Sequence, residues 1–482
     1  MSPSISKRQF LKYSGLGLIS VSGACFGRLS FHLAHTALTD VATPEKVPVG
    51  YINDASRLNL TKIKSIVSIS EPVQAAEAQL SNLLKSVSKN NGKVALAGAK
   101  HTMGGHVITP NGIIIDTSTF NRMSLDETAQ VLLVQSGATW AQVIEYLDAR
   151  GFSVQVMQSN NDFSIGGTLS ANAHGWQVNH APIASTVQSF RLLLADSVIK
   201  TCSRTENAEL FSLVIGGYGL FGIILDIQLR VITNKNYQSE RSMITPAAFS
   251  QHFETHIDGH SDIDLFFARL SIEKGNFLNE VMVYTFKQST DPVHKLAETR
   301  GNNPKVEHLK RLIFRGSVNS RFGKWVRWKS EKLLSEQIGQ TSFTRNELLN
   351  ESARAIIDYS EKSTSILHEY FVPYAQFNNF TDSLRRIIPK HQGDLLNVTI
   401  RDVKEDFDSF MKYASGPRFA FVLLFEQNRT EVGEQRMKRM TQALIDAALK
   451  LEGSYYLPYR LHATQSQFEQ SYPMAKRFFA LN

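Results

Sequence analysis

The sequence has 482 residues, of which 42% are hydrophobic, and a formal net charge of +8. This length and this apolar fraction predict a globular chain of about two or three domains, and they exclude a disordered one. Eleven Lys/Arg against three Glu between Lys295 and Lys332 account for the whole charge excess. The rest of the chain is neutral, which excludes a general nucleic-acid-binding protein.

The first 38 residues have the pattern of an export signal. The stretch SKRQFLKYSGLGLISVSGACFG joins a basic start to a short apolar run, and it resembles a twin-arginine signal in which Lys7 replaces the first arginine. The apolar run is too short to cross a membrane comfortably. We therefore expect residues 1–38 to direct export, which makes the protein periplasmic or membrane-associated; the alternative is a buried first helix.

The chain has two cysteines, Cys25 and Cys202. If the signal is removed, one cysteine remains, which excludes an internal disulfide and a metal site built on cysteines. No histidines and carboxylates in the sequence have the spacing that demands a metal, so we predict none.

Between about residue 60 and residue 235, short apolar strands alternate with amphipathic helices. The pattern predicts helices after Ser70, after Thr139 and at ENAELFSLVI, and strands at IKSIVSI, VALA, GIIID, QVLLVQSGA, SVQVM and FGIILDIQLRVI. The segment SFRLLLADSVIKTCS predicts a hairpin that turns at Ala195-Asp196. Residues 158–185 are rich in glycine and have little regular pattern. This part of the chain predicts an α+β domain with repeated βαβ elements.

The composition changes after residue 236. Residues 240–290 are mixed and aromatic, and residues 294–337 contain the basic stretch. From residue 365, the strands ILHEYFVPY, LLNVTIRDV and FAFVLLFEQ alternate with helices at AQFNNFTDSLRRII and VGEQRMKRMTQALIDAALKLEG. This alternation predicts a second α+β domain with an antiparallel sheet.

Three segments carry glycines in the pattern of a phosphate-binding backbone: GAKHTMGGH (98–106), SNNDFSIGGTLSANAHG (159–175) and GGYGLFGIIL (216–225). Glycines let a backbone approach a diphosphate closely and adopt positive φ, so two distant loops can bind one diphosphate. The third segment also has the spacing of a dinucleotide fingerprint. However, a helix precedes it and a strand follows it, which is the reverse of the required order. We therefore exclude a nicotinamide site there.

In their order and spacing, these segments resemble the FAD-binding domain of the vanillyl-alcohol oxidase/para-cresol methylhydroxylase (PCMH) superfamily. SIGGTLSANAHG and GLFGIIL look like cytokinin dehydrogenases, whereas HEYFVPY and GSYYLPYR look more like aldonolactone oxidases and decaprenylphosphoryl-ribose oxidase. The resemblance implies an α+β fold. It places a two-subdomain PCMH-type FAD-binding domain at 39–235, an α+β substrate (cap) domain with an antiparallel sheet at 236–450, and a return segment to the FAD domain at 451–482.

The resemblance also implies which residues contact FAD. They are Gly98, Ala99, Lys100, His101, Thr102 and Gly105 in the first loop, Ser159, Ser164, Gly166, Gly167, Ser170, His174 and Gly175 in the second, and Ile223 and Tyr456 further on. For Lys100 the alternative is a solvated charge. Several members of the superfamily bond the histidine at the position of His101 to the 8α-methyl carbon of the flavin. We therefore expect FAD attached through His101; the alternative is a histidine hydrogen-bonded near the ring.

The same resemblance suggests the catalytic residues. Glu369 matches a glutamate that faces the substrate in aldonolactone and alditol oxidases, although Phe371 replaces the arginine two residues further on. Tyr459 takes the position of an active-site lysine of the ribose oxidase, and either Tyr459 or Arg460 can orient or deprotonate a hydroxyl. Asn397, Thr399 and Arg401 share one strand face. The candidates are therefore Tyr459, Arg460, Glu369, Arg401 and Asn397.

Together these features imply an FAD-dependent oxidoreductase that removes a hydride from a CH–OH group of a sugar, alditol or aldonolactone-type substrate. The electron acceptor is then oxygen, or a quinone or other carrier. One alternative is oxidation of a polyprenyl-linked sugar at a membrane, as half of an epimerisation, and another is a flavin-binding protein without turnover. The basic, aromatic stretch 305–332 is either a membrane-surface contact or a solvated cap helix.

Overall fold

The computed structural model describes residues 23–69, 73–296, 304–338, 342–353, 357 and 359–482. Residues 1–22 of the predicted export signal and the predicted helix cap Ser70 lie outside these ranges. The described residues combine helices with parallel and antiparallel sheets, so the predicted α+β class is confirmed.

The first domain begins with a small parallel sheet. Helix α1 (Gly23–Thr39) and a separate antiparallel pair of short strands, β1 (Tyr51–Ile52) and β2 (Thr61–Lys62), precede this sheet. The elements of the sheet are β3 (Ser65–Ser68), α2 (Val73–Lys89), β4 (Val94–Ala97) and β5 (Ile113–Asp116). The sheet order is β3-β5-β4. Ala76, Leu80 and Leu84 of α2 recur at helical spacing and join Ile115 of β5 in one buried cluster.

The second subdomain is a six-stranded antiparallel sheet. Its elements are β6 (Met123–Asp126), β7 (Val131–Gln135), α3 (Trp140–Asp148), β8 (Phe152–Val154), α4 (Ile165–Ser170), β9 (Val187–Leu193), β10 (Ile199–Ser203), α5 (Ala208–Val214) and β11 (Ile223–Thr233). Thr139 caps α3 with a capping box, and β9 and β10 form the predicted hairpin. The prediction of repeated βαβ elements is wrong here, because β7, β8 and β9 all pair with β11 in the antiparallel sense.

The second domain is built on an eight-stranded sheet. Its elements are β12 (Asn236–Ile244), α6 (Pro246–His256), β13 (Ile263–Leu270), β14 (Val281–Ser289), α7 (Pro304–Arg315), α8 (Arg321–Ile338), β15 (Ser342–Thr344), α9 (Arg345–Leu349), β16 (Ser363–Pro373), α10 (Phe377–Lys390), β17 (Asp394–Val403), β18 (Arg418–Asn428) and α11 (Glu431–Leu449). The strand order is β15-β12-β14-β13-β17-β18-β16, followed by a strand of the return segment. Neighbouring strands are antiparallel, as predicted, and β12 to β14 fill the stretch 240–290 that had no predicted element.

Alternation along these strands separates a packed face from an open face. In β18, Phe419, Phe421 and Leu423 are buried in the core that includes the apolar sides of α6, α10 and α11, whereas Val422 lines a cavity on the other face. A fully buried phenylalanine contributes about 2 kcal/mol. The packed face therefore fixes the strand register, and the register decides which side chains reach the open face.

Helices α7 and α8 contain most of the described part of the basic stretch, and much of their charge points inward. The ion pairs are Arg311–Asp40 (2.6 Å), Lys324–Asp394 (2.6 Å), Lys332–Glu280 (2.6 Å) and Arg315–Glu426 (3.4 Å). Helix α1 lies beside them, where His32 Nε2 is 2.9 Å from the carbonyl oxygen of Gly316. In the described part of the chain, no helix is both long enough and apolar enough to cross a membrane.

The return segment contacts both domains. Its elements are β19 (Ser454–Tyr455), α12 (Gln465–Ser471) and α13 (Ala475–Ala480), and β19 pairs with β16. Phe478 of α13 packs edge-on against Phe221 of the first domain, with ring centroids 5.0 Å apart. The Tyr456 hydroxyl donates to the carbonyl of Ala171 at 2.9 Å.

Candidate active site

The first glycine loop follows β4 directly and is fixed at both sides. Lys100 has a positive φ of 58°, and the Met103 amide donates to the Pro458 carbonyl at 2.8 Å. This hydrogen bond ties the loop to the return segment near Tyr459. The loop therefore lies where the two domains meet.

The second glycine loop leads into helix α4 and touches the first loop. Ser164 is the N-cap residue of α4. A Cβ atom added to Gly98 would lie 2.2 Å from Ser164 Oγ, and one added to Gly166 would lie 2.8 Å from Ser136 Cβ. Glycine is thus required at both positions by close approach between loops.

A cavity of about 2100 Å³ lies between these loops and the open face of the eight-stranded sheet. This is larger than a typical small-ligand pocket of about 300–1,000 Å³, so it can hold a dinucleotide and a substrate together. The predicted cofactor residues on its wall are Gly98, Ala99, Lys100, His101, Thr102, Ser159, Ser164, Gly166, Gly167, Ser170, His174, Ile223 and Tyr456.

Two predicted cofactor residues, Gly105 and Gly175, do not line the cavity. Gly105 has a φ of 78° and its amide donates to Asp54 Oδ2 at 2.8 Å, so it serves the turn that closes the loop. A Cβ on Gly175 would lie 1.8 Å from the Met157 carbonyl oxygen. Both glycines contribute to backbone packing, and their contact with FAD stays a prediction.

The wall beside the glycine loops has buried polar atoms that fit a polar cofactor. Thr102 Oγ1, Ser136 Oγ and His106 Nδ1 have no hydrogen-bond partner within the protein and belong to residues that line the cavity. Buried polar atoms normally have partners, so these atoms indicate a ligand that supplies them. They would hold the phosphates and hydroxyls of FAD together with the backbone of the two loops.

His101 presents its ring to the cavity wall. The ring stacks on Phe163 of the second loop, with centroids 4.1 Å apart and planes inclined by 19°. Phe163 also lines the cavity. Stacking fixes the plane of the imidazole, so its direction is set before any cofactor binds.

Three side chains from the two domains form a chain of hydrogen bonds on the cavity wall. His174 Nε2 lies 2.5 Å from Glu369 Oε1, and the Tyr459 hydroxyl donates to Glu369 Oε2 at 3.0 Å. Glu369 is buried, with 3% of its surface exposed. Sequence comparison assigned His174 to the cofactor, but the structure pairs its ring with the predicted catalytic carboxylate.

The surroundings set the charge of this group. Burial alone would raise the pKa of Glu369, but His174, Arg401 and the hydrogen bond from Tyr459 outweigh it and hold that pKa below its usual value. Burial and the Glu369 carboxylate raise the pKa of the Tyr459 phenol well above its usual value. Glu369 is therefore the anion and Tyr459 the proton donor, so Tyr459 is not itself a base near neutral pH.

Two further predicted catalytic residues, Arg401 and Asn397, line the cavity on the same sheet face as Glu369. Arg401 lines the cavity, and its Nη2 donates to Ser159 Oγ at 2.7 Å. Asn397 also lines the cavity, and its Nδ2 donates to Thr399 Oγ1 at 2.8 Å. These residues lie on the sheet face that bears Glu369, and Arg401 is the one close enough to influence the Glu369 carboxylate.

Arg460 does not line the cavity, and its catalytic assignment is corrected. Its guanidinium binds Glu434 Oε1 at 2.5 Å, Asn59 Oδ1 at 2.9 Å and the Met103 carbonyl at 3.0 Å. Tyr459 and Arg460 do not face the same space, since Tyr459 lines the cavity whereas the Arg460 guanidinium is held by Glu434 and Asn59. Arg460 instead stabilises the first glycine loop through its hydrogen bond to the Met103 carbonyl.

Sequence reasoning missed a group of polar and aromatic residues at the far side of the cavity. Arg241, Tyr284, Phe267 and Arg269 lie on β12 to β14, and Arg327 reaches the cavity from α8. The alternation of charged and apolar residues along these strands was visible in the sequence and could have indicated a polar face. The alternation does not show how neighbouring strands align, and it is this cross-strand register that brings the residues together.

Comparison with known proteins identifies the first domain. Residues 73–203 match the family model of an FAD-binding domain. The chain therefore contains an FAD-binding domain and FAD is its cofactor, as the loops and orphaned polar atoms indicated. No group of three or more His, Cys, Asp or Glu side chains among the described residues is arranged to hold a metal ion.

Particular relatives match over about a third of the chain. Cytokinin dehydrogenase 2 of Arabidopsis thaliana is 29% identical over 153 residues, which is 31% of this chain and 30% of that protein. L-gulonolactone oxidase of Mus musculus is 24% identical over 163 residues (34% and 36%), and D-arabinono-1,4-lactone oxidase of Candida albicans is 26% identical over 172 residues (35% and 30%). The matches thus span about a third of each relative. They confirm the predicted resemblance to FAD-binding oxidoreductases.

Proposed function

We propose that this protein is an FAD-dependent oxidoreductase that oxidises a CH–OH group of a sugar, alditol or aldonolactone-type substrate. The observation that carries the proposal is the hydrogen-bonded chain His174–Glu369–Tyr459 on the wall of the FAD-binding cavity. Relatives named as lactone oxidases support the same substrate class. When bound, FAD supplies the acceptor for the hydride that leaves the carbinol carbon.

In this proposal, Tyr459 and Glu369 receive the hydroxyl proton. The substrate hydroxyl donates to Tyr459 Oη, which passes its own proton to Glu369 Oε2 across their 3.0 Å hydrogen bond. His174 holds the other carboxylate oxygen in place at 2.5 Å. His174 and Glu369 are buried and Tyr459 is half-buried, so the carboxylate that takes up the proton is shielded from bulk water.

The remaining wall suits a polyhydroxylated substrate. Thr399 and Arg401 place polar groups on the sheet face beside Glu369, and Tyr456 adds an aromatic surface. Convergent polar groups over an aromatic floor are the usual means of binding a sugar ring. Arg401 also links this face to the second glycine loop through its hydrogen bond to Ser159.

The same proposal includes the flavin attachment, the electron acceptor, the location of the protein and its contact with lipid. FAD is attached through His101, whose ring lines the cavity beside Phe163. Oxygen, or a quinone or other carrier, takes the electrons. The N-terminal segment directs export to the periplasm or membrane surface. A lipid surface at 305–332 has weaker support, because several cations of that stretch pair within the protein.

An anaerobic reduction screen tests the function. The holoenzyme is mixed with sugars, alditols, aldonolactones and lipid-linked sugars, and bleaching of the flavin absorbance is followed. We expect bleaching by at least one polyol or lactone in the wild type, with the rate strongly reduced in Glu369→Gln. An absence of bleaching across the whole panel would favour a flavin-binding protein without turnover.

A further inference from the structure

The cavity extends well beyond Glu369, to a second polar region that the proposed reaction does not use. Arg241 on β12, Arg269 on β13 and Arg327 on α8 line this far end. Arg269 pairs in register with Thr399, Thr399 with Val422, and Val422 with Glu369. Three strand spacings of about 4.8 Å put Arg269 about 14 Å from Glu369 along the sheet.

Two of these guanidinium groups share one neutral acceptor. Arg269 Nη1 donates to Asn397 Oδ1 at 3.1 Å, and Arg327 Nη2 donates to the same oxygen at 3.0 Å. Arg327 also donates to the Leu396 carbonyl at 2.5 Å. Two like charges are therefore held side by side through a shared acceptor that carries no charge. This arrangement is costly unless an anion accompanies it.

Among the residues that the structure describes, little negative charge balances this cluster. Glu331 lies 3.2 Å from Arg269 Nε and accepts the Tyr284 hydroxyl at 2.8 Å. Among the other described acids of this wall, Glu347 caps helix α9 and Glu351 is exposed. One contacting carboxylate thus faces three arginines.

Arg241 has donor capacity left over. Its Nη1 donates to the Glu331 carbonyl at 3.1 Å and its guanidinium lies 4.1 Å from the centre of the Tyr284 ring. Its Nε is buried and has no partner within the protein. Stacking on Tyr284 holds the planar group, so the free N–H has a fixed direction.

The electrostatics of the cluster agree with this geometry. Burial, together with the neighbouring Arg269, lowers the pKa of Arg327 to about 10. Burial also lowers the pKa of Arg241. Arg269 differs, because Glu331, Tyr284 and Glu351 outweigh its burial and raise its pKa. Arg241 and Arg327 are therefore the members of the cluster that have lost water without gaining enough counter-charge.

We propose that Arg241, Arg269 and Arg327 bind an oxyanion, a carboxylate or a phosphate, carried by the substrate at a position remote from the oxidised CH–OH group. Guanidinium groups suit both anions, because their N–H groups match the spacing of two oxyanion oxygens. Phe267 stacks on Tyr284 with centroids 4.3 Å apart, which gives an aromatic surface beside the cluster for a sugar ring. The substrate class is therefore an anionic glycoside, longer than a single neutral sugar. The assignment to the substrate rests on the proposed function, whereas the anion site itself does not.

Anion binding is tested first, without turnover. Holoenzyme, whose diphosphate loops are filled by FAD, is titrated with inorganic phosphate and with glucuronate in a calorimeter. We expect at least tenfold weaker binding in Arg241→Met and Arg269→Met, and unchanged binding in Arg321→Met, an exposed arginine at the start of the same helix as Arg327. Glu331→Gln removes the competing carboxylate while keeping its shape, so it should tighten binding.

The test includes variants expected to weaken binding (Arg241→Met and Arg269→Met) and one expected to tighten it (Glu331→Gln), so it stays decisive if one variant folds poorly. Thermal unfolding of each holoenzyme identifies such a variant. Binding that is absent in the wild type, or equal in the wild type and both arginine variants, would overturn the anion site. The preferred probe, phosphate or glucuronate, identifies the source of the oxyanion.

Turnover is tested second, with matched pairs. A disaccharide acid and a glycosyl phosphate are compared with their neutral parents in anaerobic flavin reduction. The proposal expects the anionic member to have the lower KM, with the advantage lost in Arg241→Met. Anion binding without reduction by any member would refute the proposed function and leave the anion site standing. Reduction that is equally efficient with neutral members would refute the substrate assignment alone.

Discussion

Glu369 is held from both sides by hydrogen-bond donors. His174 contacts one carboxylate oxygen and Tyr459 the other, and the side chain is buried. A buried carboxylate with two partners is either a structural tie or a proton acceptor prepared for a reaction. Its place on the wall of the FAD cavity favours the second role, because a structural tie has no need of access to a ligand.

The substitution Glu369→Gln separates these roles. Loss of the anion should reduce the rate of flavin reduction about 10²–10⁴-fold, the usual contribution of a general base, while FAD stays bound. Stopped-flow reduction measures the rate, and Glu361→Gln, an exposed glutamate just before β16, is the control. A variant that loses FAD or unfolds, with no change in intrinsic rate, would indicate a structural tie.

The pH dependence of the wild type gives an independent check of the same residue. The pKa of Glu369 lies below its usual value of 4.5, so the carboxylate stays charged in mildly acidic solution. We therefore expect the intrinsic reduction rate to show no loss attributable to Glu369 above about pH 5, and a fall only below it. A Glu369-dependent fall centred between pH 6 and 7, absent in Glu369→Gln, would contradict this assignment.

The position of His101 predicts how the flavin is retained. If the bond through His101 exists, acid precipitation of the wild type leaves yellow colour in the pellet, and His101→Ala releases the flavin into the supernatant. The matched variant is His106→Ala, which changes a neighbouring cavity histidine without removing the bonding nitrogen. Free flavin in the supernatant of the wild type would refute the covalent bond but not FAD binding.

At the scale of elements, the FAD site depends on contact between two loops far apart in sequence. Gly98 in the first loop faces Ser164 at the start of α4, and a Cβ at Gly98 would lie 2.2 Å from Ser164 Oγ and 2.9 Å from its Cβ. Neither loop can shift freely, because one follows a strand that is paired with β5 and the other begins a helix. The two loops therefore approach each other so closely at Gly98 that there is no space for a side chain.

Gly98→Ala should therefore weaken FAD binding. Relieving the overlap requires the loops to separate, and overpacking of this kind costs about 1–3 kcal/mol, or roughly tenfold or more in affinity. Flavin content after dialysis measures the loss, and Gly416→Ala, where nothing lies near the added Cβ, is the control. The double substitution Gly98→Ala with Ser164→Gly should restore binding. A failure of this rescue would show that the loops are not coupled through this contact.

Much of the element pattern follows from sequence, and the exceptions have physical reasons. The amphipathic spacing in α2, the Thr139 capping box and the β9–β10 hairpin are local features, so a single segment specifies them. The sheet in which β11 lies between β9 and β7 depends on partners from distant segments. Alternating strands and helices do not reveal whether neighbouring strands run parallel, which is why the repeated βαβ prediction failed there.

The same distinction applies to the site. The glycine loops, Glu369 and Tyr459 were readable because each lies in a short motif. Arg241, Arg269 and Arg327 come from two strands and a helix, and only the register of the folded sheet brings them to one end of the cavity. The catalytic role of Arg460 was inferred from its position next to Tyr459 in a short motif. A motif shows that two residues are adjacent in sequence, but it does not show in which direction each side chain points.

At the scale of the whole molecule, the proposed active site exists only when the domains are joined. His174 belongs to the first domain and Glu369 to the second, and further ties cross the same boundary, such as Asn172 Nδ2 to Asp406 Oδ2 at 2.9 Å. Buried polar contacts of this kind are satisfied only in the assembled form. Domain association and proton handling are therefore coupled, and conditions that loosen one will weaken the other.

Mild acid is such a condition, because both domains contain histidines that are neutral in the folded protein. Burial lowers the pKa of His106 in the first domain from 6.5 to about 4, and burial together with His462 lowers that of His368 in the second from 6.5 to about 3. Below pH 6.5 the unfolded chain takes up these protons and the folded chain does not. Stability is therefore complete above pH 6.5 and is lost as the pH falls towards 4.

Between pH 7 and pH 5, His368, which lies away from the FAD cavity, should remove about 2 kcal/mol of unfolding free energy from the holoenzyme. Urea unfolding of the holoenzyme at the two pH values measures the loss. His368→Gln, in the core of the second domain and away from the cavity, should recover its share at pH 5, whereas exposed His260→Gln should change nothing. Equal losses in the wild type and in His368→Gln would mean that His368 is protonated in the folded protein, contrary to its burial among His462, Thr441 and Tyr370.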